Sequence, residues 1–220
     1  MSRCLQVDAI CPESEVLQEA VRVLRKGGVV AYPTDTVYGL AVDAMNRQAV
    51  ARLYRVKRRP QEKAIPLIVS GPEQLSRLVA PPSCAAKRMM AAFWPGPLTL
   101  LMPAHEQAPP HLLGEERRIG VRWPQLALNQ QLAQALGNAI TATSANLSGL
   151  PAALCASEVA AQLGATIDLL LDGGAAQNTE VSTILDVGSQ PPRFCRAGKL
   201  SIEDIERVLG YAIMQDVSHR

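Results

Sequence analysis

Clusters of hydroxyl, amide and cationic side chains recur along the chain, each after a short apolar run. They are PTDT (33–36), KRRPQEK (57–63), GVRWP (120–124), TSANLSG (143–149), VSTILD (181–186) and FCRAG (194–198). Arg and Lys can clamp a phosphate or carboxylate, and Ser and Thr can complete the shell around such an anion. The clusters therefore indicate a site for an anionic ligand.

These residue types support group transfer better than covalent hydrolysis. Phosphoryl or nucleotidyl transfer depends largely on positioning and charge stabilisation, which cations and amides supply. The sequence shows no activated nucleophile: its five cysteines are scattered without a CxxC pair, and its three histidines lack metal-ligand spacing. The common nucleotide signatures GxxxxGK[ST] and GxGxxG are also absent from it.

Each cluster taken alone also has a purely structural interpretation. KRRPQEK alone is typical of a solvated basic face, and TSANLSG alone is typical of a turn with an N-cap. PTDT alone can cap a turn, and Arg122 or Arg196 alone can be an ordinary ion-pair partner. No single cluster identifies the function.

The elements that must position the clusters are strands and helices mixed without strict alternation. Apolar runs predict strands at 28–33, 64–70, 97–103, 118–124, 139–144, 167–172, 182–187 and 193–196. Helical spacing predicts helices at 13–26, around 50–54, and at 72–79, 83–93, 126–136, 157–163 and 201–209. This order favours an α/β domain with a mixed, twisted sheet. Ligands of open α/β sheets bind at strand ends, where the polar clusters stand.

Composition is typical of a globular protein. The 220 residues are 48% hydrophobic, which suffices for one large domain or two small ones. No apolar run reaches the roughly 18 residues of a membrane span. The first ten residues also lack the apolar region of a signal peptide. We therefore expect a cytoplasmic location and no membrane partner.

The positive charge of the chain is local. Residues 47–63 carry seven Lys or Arg residues against one Glu, a net +6, whereas the whole chain has only +2. The remainder is therefore acidic, at −4, and the basic run needs a local explanation. A double-stranded RNA-binding or ribosome-assembly factor would explain the run, but it would leave the hydroxyl clusters without a purpose.

Taken together and in this order, the clusters resemble the YrdC-like family of threonylcarbamoyladenylate synthases. The matching stretches run from about residue 20 to residue 208 and are AYPTDTVYGL, KRRPQEK, WPGPLT, GVRWP, TSANLSG, STILD and CRAGKLS. The resemblance implies an α/β fold in a single domain, residues 1–210, followed by a short tail, 211–220. Its twisted, mixed open sheet, flanked by helices, would surround a basic cavity. The chain stops before the extra domain of longer members, so it resembles the short form.

The resemblance also implies one reaction. L-threonine, bicarbonate and ATP would give threonylcarbamoyl-AMP and pyrophosphate for the biosynthesis of N6-threonylcarbamoyladenosine (t6A) at position 37 of tRNA. ATP would be a substrate, Mg2+ would bridge its phosphates, and proteins of a transfer complex would act downstream. Weak RNA binding and a monomeric or dimeric state are further expectations. The alternative is a paralogue of the YciO type, with the same fold and without this activity.

Motif by motif, the resemblance assigns roles to residues of this chain. Lys57 and Arg59 would be catalytic. Thr36, Arg122 and Ser182 would bind threonine, with Arg122 on its carboxylate. The residues expected to bind ATP are Arg59, Lys63, Ser144, Asn146 and Arg196, and no residue is expected to bind a metal.

Overall fold

The computed structural model describes residues 2–60, 64–176 and 180–215. Its strands are β1 (Arg3–Gln6), β2 (Val30–Tyr32), β3 (Gly39–Ala41), β4 (Leu67–Ile68), β5 (Leu98–Pro103), β6 (Arg118–Arg122), β7 (Ile140–Thr141), β8 (Thr143–Ser144), β9 (Leu169–Asp172), β10 (Thr183–Asp186), β11 (Arg193–Arg196) and β12 (Met214–Gln215). Its α-helices are α1 (Ser14–Arg25), α2 (Arg47–Lys57), α3 (Pro72–Leu78), α4 (Cys84–Phe93), α5 (Ala127–Leu136), α6 (Ala156–Leu163) and α7 (Ile202–Leu209). Short 3-10 turns lie at Pro110–Leu112 and Glu115–Arg117.

The strands form two mixed sheets. The smaller sheet has the order β1-β9-β2-β3-β8, and the larger has the order β12-β11-β10-β5-β6-β4-β7. Parallel pairs such as β5 with β10 lie beside antiparallel pairs such as β5 with β6. The mixed α/β fold is therefore confirmed, with its strands divided between two sheets where the sequence pattern indicated one.

The chain passes from one sheet to the other at Ala142. The strand predicted at 139–144 is divided there, because β7 pairs with β4 in the larger sheet and β8 pairs with β3 in the smaller one. The Ala142 amide donates to the Pro66 carbonyl at 2.7 Å. A single apolar run thus brings strand ends of both sheets close together.

Helix faces are buried as the sequence spacing predicts. In α1, Leu17, Ala20, Val21 and Leu24 are buried in one apolar cluster with strands of the smaller sheet and with α5. Burial of each such leucine stabilises the fold by about 1.5–3 kcal/mol. In α2, an apolar face packs into the larger cluster, and the exposed side carries Arg47 and Arg55; Arg58, the residue after the helix, is also exposed.

Strands β1, β3 and β12 were not indicated by the sequence. Residues of β1 and β12 are mostly exposed, so they carry no apolar run, and β3 has three residues. The division into a domain at 1–210 and a tail at 211–220 stays a prediction. Within the predicted tail, β12 pairs with β11, and residues 216–220 lie outside the described range. No helix in the described part of the chain has the length and apolar character needed to cross a membrane.

Candidate active site

A cavity of about 650 Å³, part of it open to solvent, is lined by residues of both sheets. The smaller sheet contributes Tyr32 and Ser144, at the ends of β2 and β8. The larger sheet contributes Ile68 and Arg122, at the ends of β4 and β6. The cavity therefore lies where strands of both sheets end, which is the position that the polar clusters predict.

The turn after β2 holds Thr36 in the cavity wall. The Thr34 hydroxyl donates to the Val37 carbonyl at 2.7 Å and accepts from the Thr36 amide at 3.1 Å. The hydroxyls of Thr34 and Thr36 lie 2.9 Å apart. Thr36 is only 3% exposed, and it lines the cavity. The small polar residues of PTDT thus build a tight, internally bonded turn.

Arg122 is buried, and its guanidinium is held on three sides. Nε donates to the Gly96 carbonyl at 3.1 Å, Nη1 to Thr36 Oγ1 at 3.2 Å, and Nη2 to Asp35 Oδ1 at 2.6 Å. A Cβ at Gly96 would lie 2.5 Å from the Phe93 carbonyl oxygen, so only glycine allows residue 96 to pack this closely on the backbone of Phe93. These contacts fix the guanidinium without using all five of its N–H donors.

Arg196, at the end of β11, is bonded to Ser182. Its Nε and Nη2 donate to the Ser182 carbonyl at 3.2 and 2.7 Å, and Nη2 also donates to Ser182 Oγ at 3.0 Å. Ser182 Oγ in turn lies 2.9 Å from Thr99 Oγ1. A Cβ at Gly198 would lie 2.4 Å from the Val181 carbonyl oxygen, so glycine lets the FCRAG segment pack directly on this backbone.

Arginines give the cavity its positive charge. Arg59, Arg122 and Arg196 all line it. Arg196 is exposed as a whole residue, but its guanidinium lies in the cavity wall. Loss of hydration there lowers the pKa of Arg196 to about 10, and the charges of Arg122 and Arg59 contribute to this shift. Burial lowers the pKa of Arg59. The charges of Arg122 and Arg59 thus disfavour the protonated form of Arg196, and an anion bound among the three guanidiniums would offset this repulsion.

Lys57 lies behind the TSANLSG loop. It is 2% exposed, and its Nζ donates to the Ser144 carbonyl, to the Asn146 carbonyl at 2.8 Å and to Asn146 Oδ1 at 3.2 Å. Burial, and then the charge of Arg59, lower the pKa of Lys57 to about 7, whereas the oxygen acceptors favour its ammonium form. The Ser144 hydroxyl donates to Asn146 Oδ1 at 2.5 Å. Lys57 and Asn146 therefore brace the loop that presents Ser144.

The structure brings most of the predicted site residues to one cavity. Those that line it are Thr36, Arg59, Arg122, Ser144, Ser182 and Arg196. Lys57 and Asn146 stand behind the wall, although the sequence analysis places both on the ligand. Lys63 lies outside the described residues. The ligand assigned to each residue stays a prediction.

The described residues that line the cavity do not form a magnesium site by themselves. Among the described residues, no group of three or more His, Cys, Asp and Glu is placed to hold a metal ion. Within the described part of the chain, the charged side chains that line the cavity are Arg59, Arg122 and Arg196. Mg2+ prefers carboxylate, phosphate and water oxygens, so these residues offer it no first ligand shell of their own.

A sequence model of the Sua5/YciO/YrdC family, described as "Telomere recombination", matches residues 22–198. The chain belongs to the Sua5/YciO/YrdC family. The matched range contains every polar cluster from PTDT to FCRAG. The resemblance inferred from those clusters is thereby confirmed.

Curated relatives of this Sua5/YciO/YrdC chain have a common name. A protein of Pyrococcus abyssi named "Threonylcarbamoyl-AMP synthase" is 36% identical over 191 residues, which cover 87% of this chain and 56% of the relative. A protein of Vibrio cholerae with the same name is 40% identical over 177 residues, which cover 80% of this chain and 94% of the relative. The chain thus spans little more than half of the Pyrococcus protein and nearly all of the Vibrio protein.

Solved structures of the family have the same fold. P. abyssi Sua5 complexed with L-threonine superimposes with a TM-score of 0.92 at 33% identity, over 98% of this chain and 63% of that one. Escherichia coli YciO superimposes with a TM-score of 0.84 at 28% identity, over 93% of this chain and 100% of that one.

Sequence reasoning missed several residues that line the cavity, two polar ones among them, and one ion pair. Tyr32 and Thr99 line the cavity and lie in the matching stretches AYPTDTVYGL and WPGPLT, but the resemblance assigned neither a role and each also fits a buried apolar strand. Asp35 was interpreted as a turn residue, and its ion pair with Arg122 joins positions far apart in sequence. For Thr99, the available signal is one hydroxyl in an otherwise apolar strand.

Proposed function

We propose that this protein is an L-threonylcarbamoyladenylate synthase, a nucleotidyltransferase that makes threonylcarbamoyl-AMP and pyrophosphate from L-threonine, bicarbonate and ATP. The observation that carries the proposal is the meeting of Arg59, Arg122 and Arg196 at one cavity. All three substrates bring negative charge, which such a cavity would offset. The names of the Pyrococcus and Vibrio relatives support the same activity.

Threonine binding is proposed for the Arg122 side of the cavity. The Arg122 guanidinium is held by Gly96, Thr36 and Asp35, so it is oriented before a ligand arrives. A guanidinium pairs well with a carboxylate in a fixed plane. Thr36 and Ser182 supply neighbouring hydroxyls. The complex of P. abyssi Sua5 with L-threonine supports a threonine site in this family.

ATP binding is proposed for the side that carries Arg59, Ser144 and Arg196. In this proposal the two guanidiniums bind phosphate oxygens and the Ser144 loop contacts the nucleotide. Lys57 and Asn146 act by bracing that loop from behind. Mg2+ enters as part of the ATP substrate, with phosphate and water oxygens as its ligands.

The proposed reaction has two steps. The threonine amine attacks the carbon of bicarbonate, water leaves, and a carbamate forms. A carbamate oxygen then attacks the α-phosphorus of ATP while the bond to pyrophosphate breaks. Holding the reactants together supplies much of the acceleration, and the fixed arginines offset the negative charge that develops on pyrophosphate.

The product would feed t6A formation on tRNA, with transfer-complex proteins acting downstream. Those partners, weak RNA binding, a monomeric or dimeric state and a cytoplasmic location stay predictions. The RNA-binding alternative depends on the exposed basic face of α2, with Arg47 and Arg55, together with Arg58 directly after the helix. No carboxylate within α2 neutralises this face.

A YciO-type protein is the second candidate, because E. coli YciO superimposes over its whole length. Pyrophosphate release by the purified protein separates the two. Release should require ATP, bicarbonate and L-threonine together, and Arg59→Ala should reduce it at least tenfold. Arg47→Ala removes an exposed arginine that is the first residue of α2 and does not line the cavity; this variant is the matched control and should release pyrophosphate like wild type. Absence of release with any amino acid would favour the YciO type.

A further inference from the structure

The hydroxyl groups in the cavity wall are ordered by their hydrogen bonds. A Thr or Ser hydroxyl has one proton to donate and two lone pairs that accept. Counting these protons and lone pairs along each chain of contacts shows what each wall presents to a ligand. The wall at the PTDT turn presents a hydrogen-bond acceptor to the amino acid, and the wall at Ser182 and Thr99 presents a donor.

The wall formed by the PTDT turn presents an acceptor. Thr34 donates its proton to the Val37 carbonyl at 2.7 Å. The contact of 2.9 Å between the hydroxyls of Thr34 and Thr36 must then use the Thr36 proton. Thr36 Oγ1 also accepts from Arg122 Nη1 at 3.2 Å. What remains on Thr36 is one lone pair, which can accept from an ammonium or hydroxyl group of the ligand.

The wall formed by Ser182 and Thr99 presents a donor. Arg196 Nη2 donates to Ser182 Oγ at 3.0 Å, so that oxygen accepts from a cation. The two hydroxyls share one hydrogen bond of 2.9 Å, which uses one of their two protons. The second proton is left over whichever hydroxyl donates to the other. Both residues line the cavity, so this proton is available to a ligand acceptor.

The donor wall stands beside the Arg122 guanidinium. Thr99 and Arg122 are cross-strand partners in the antiparallel pair of β5 and β6, so their side chains leave the same face as direct neighbours. Thr99 is 1% exposed and Arg122 is 5% exposed. A carboxylate placed on the guanidinium is therefore next to the leftover hydroxyl proton.

We infer that Thr99 is a positioning residue for the substrate carboxylate: with Arg196 it orders the Ser182 hydroxyl so that this wall donates to the carboxylate, while Thr36 accepts from the substrate's own donors. The inference rests on the proposed function, since it takes an α-amino acid as the ligand. It gives a role to Thr99, the last residue of the WPGPLT stretch, to which the resemblance assigned none, and it assigns a direction to each hydroxyl. If the amino acid bound in the reverse orientation, its ammonium group would face the donor wall of Ser182 and Thr99.

Calorimetric titration of L-threonine and of ATP into matched variants tests the inference. Thr99→Val keeps the side-chain volume and removes the hydroxyl, and it should raise the Kd for threonine about tenfold, as loss of a hydrogen bond to a charged group does. The Kd for ATP should stay at the wild-type value. Thr99→Ser, which restores the hydroxyl, should restore threonine binding. If Thr99→Val does not fold, Ser182→Ala must show the same selective loss for threonine.

Thr141→Val is the control, because it also replaces a buried, hydrogen-bonded threonine with valine. Thr141 is fully buried, contacts Leu40 and Val42 through its hydroxyl, and does not line the cavity. It should leave threonine affinity unchanged. If Thr99→Val binds threonine like wild type, or loses as much affinity for ATP as for threonine, the role of Thr99 is wrong while the proposed function still stands. A wild-type protein that neither binds threonine nor releases pyrophosphate overturns the proposed function and this inference with it.

Discussion

At the scale of single residues, the cavity is built from side chains that hold one another in place. Thr34 fixes Thr36, Thr36 and Asp35 fix Arg122, and Ser182 fixes Arg196. Such preorganisation lowers the entropy that a ligand must lose on binding. Residue types indicated a site for an anionic ligand, and the family resemblance assigned Thr36, Arg122, Ser182 and Arg196 to it. The pairings join positions far apart in sequence, so the folded structure was needed to identify them.

Thr36→Val should weaken threonine binding about tenfold, because it removes the acceptor that is held toward the cavity. Thr36→Ser retains that oxygen and should bind nearly like wild type. Titration calorimetry with L-threonine measures both variants. Wild-type affinity in Thr36→Val would show that this hydroxyl has no part in threonine binding.

Lys57 should make the free energy of unfolding depend on pH. Its pKa is about 7 in the folded protein against an ordinary value of 10.5. Between these values the unfolded chain binds the extra proton, so the stability of the folded state rises as pH increases from 7 toward 10. Lys57→Met lacks this group. Urea unfolding at pH 7, 8, 9 and 10 should therefore show a wild-type stability that grows relative to the variant, and a constant difference would contradict the assignment.

At the scale of elements, strand ends and the turns that follow them carry the site. Apolar runs were enough to predict β2, β5, β6 and β10, because burial on both faces leaves a continuous signal. The run at 139–144 was predicted as one strand and forms two, β7 and β8. Only tertiary pairing distinguishes those outcomes, since the local residues suit either.

Gly198→Ala should both destabilise the fold and weaken ligand binding. Its Cβ would lie 2.4 Å from the Val181 carbonyl oxygen and 2.5 Å from the Ser182 carbonyl carbon, so the FCRAG segment must move and carry Arg196 with it. We expect a loss of about 1–3 kcal/mol in unfolding free energy. Gly71→Ala is the control, since a Cβ there meets nothing within 4 Å and the backbone is extended. Urea unfolding curves that fall together for both variants would contradict the packing argument.

At the scale of the whole molecule, the cavity exists because two sheets meet. Residues from both sheets line it, and the chain crosses between them at Ala142. Local patterns predicted an α/β fold and a basic site but gave no means of dividing the strands into sheets. That division depends on long-range register, which a single sequence does not reveal.

Ligand binding should therefore stabilise the whole fold. Only the folded state assembles residues from both sheets, so L-threonine at one hundred times its Kd should raise the free energy of unfolding by about 2.7 kcal/mol. Urea unfolding with and without the ligand measures this. D-threonine, whose groups cannot all meet the same walls, is the control and should stabilise much less. Equal stabilisation by both enantiomers would contradict a site that selects between the two configurations of the α-carbon.

The central claim is that one cavity joins three substrates into one adenylate. Mass spectrometry of the product formed from ATP, L-threonine and 13C-labelled bicarbonate tests it most directly. The account predicts an adenylate that contains one threonine and one labelled carbon per AMP, formed together with one pyrophosphate. An adenylate without the labelled carbon, or pyrophosphate release that proceeds without threonine, would contradict it.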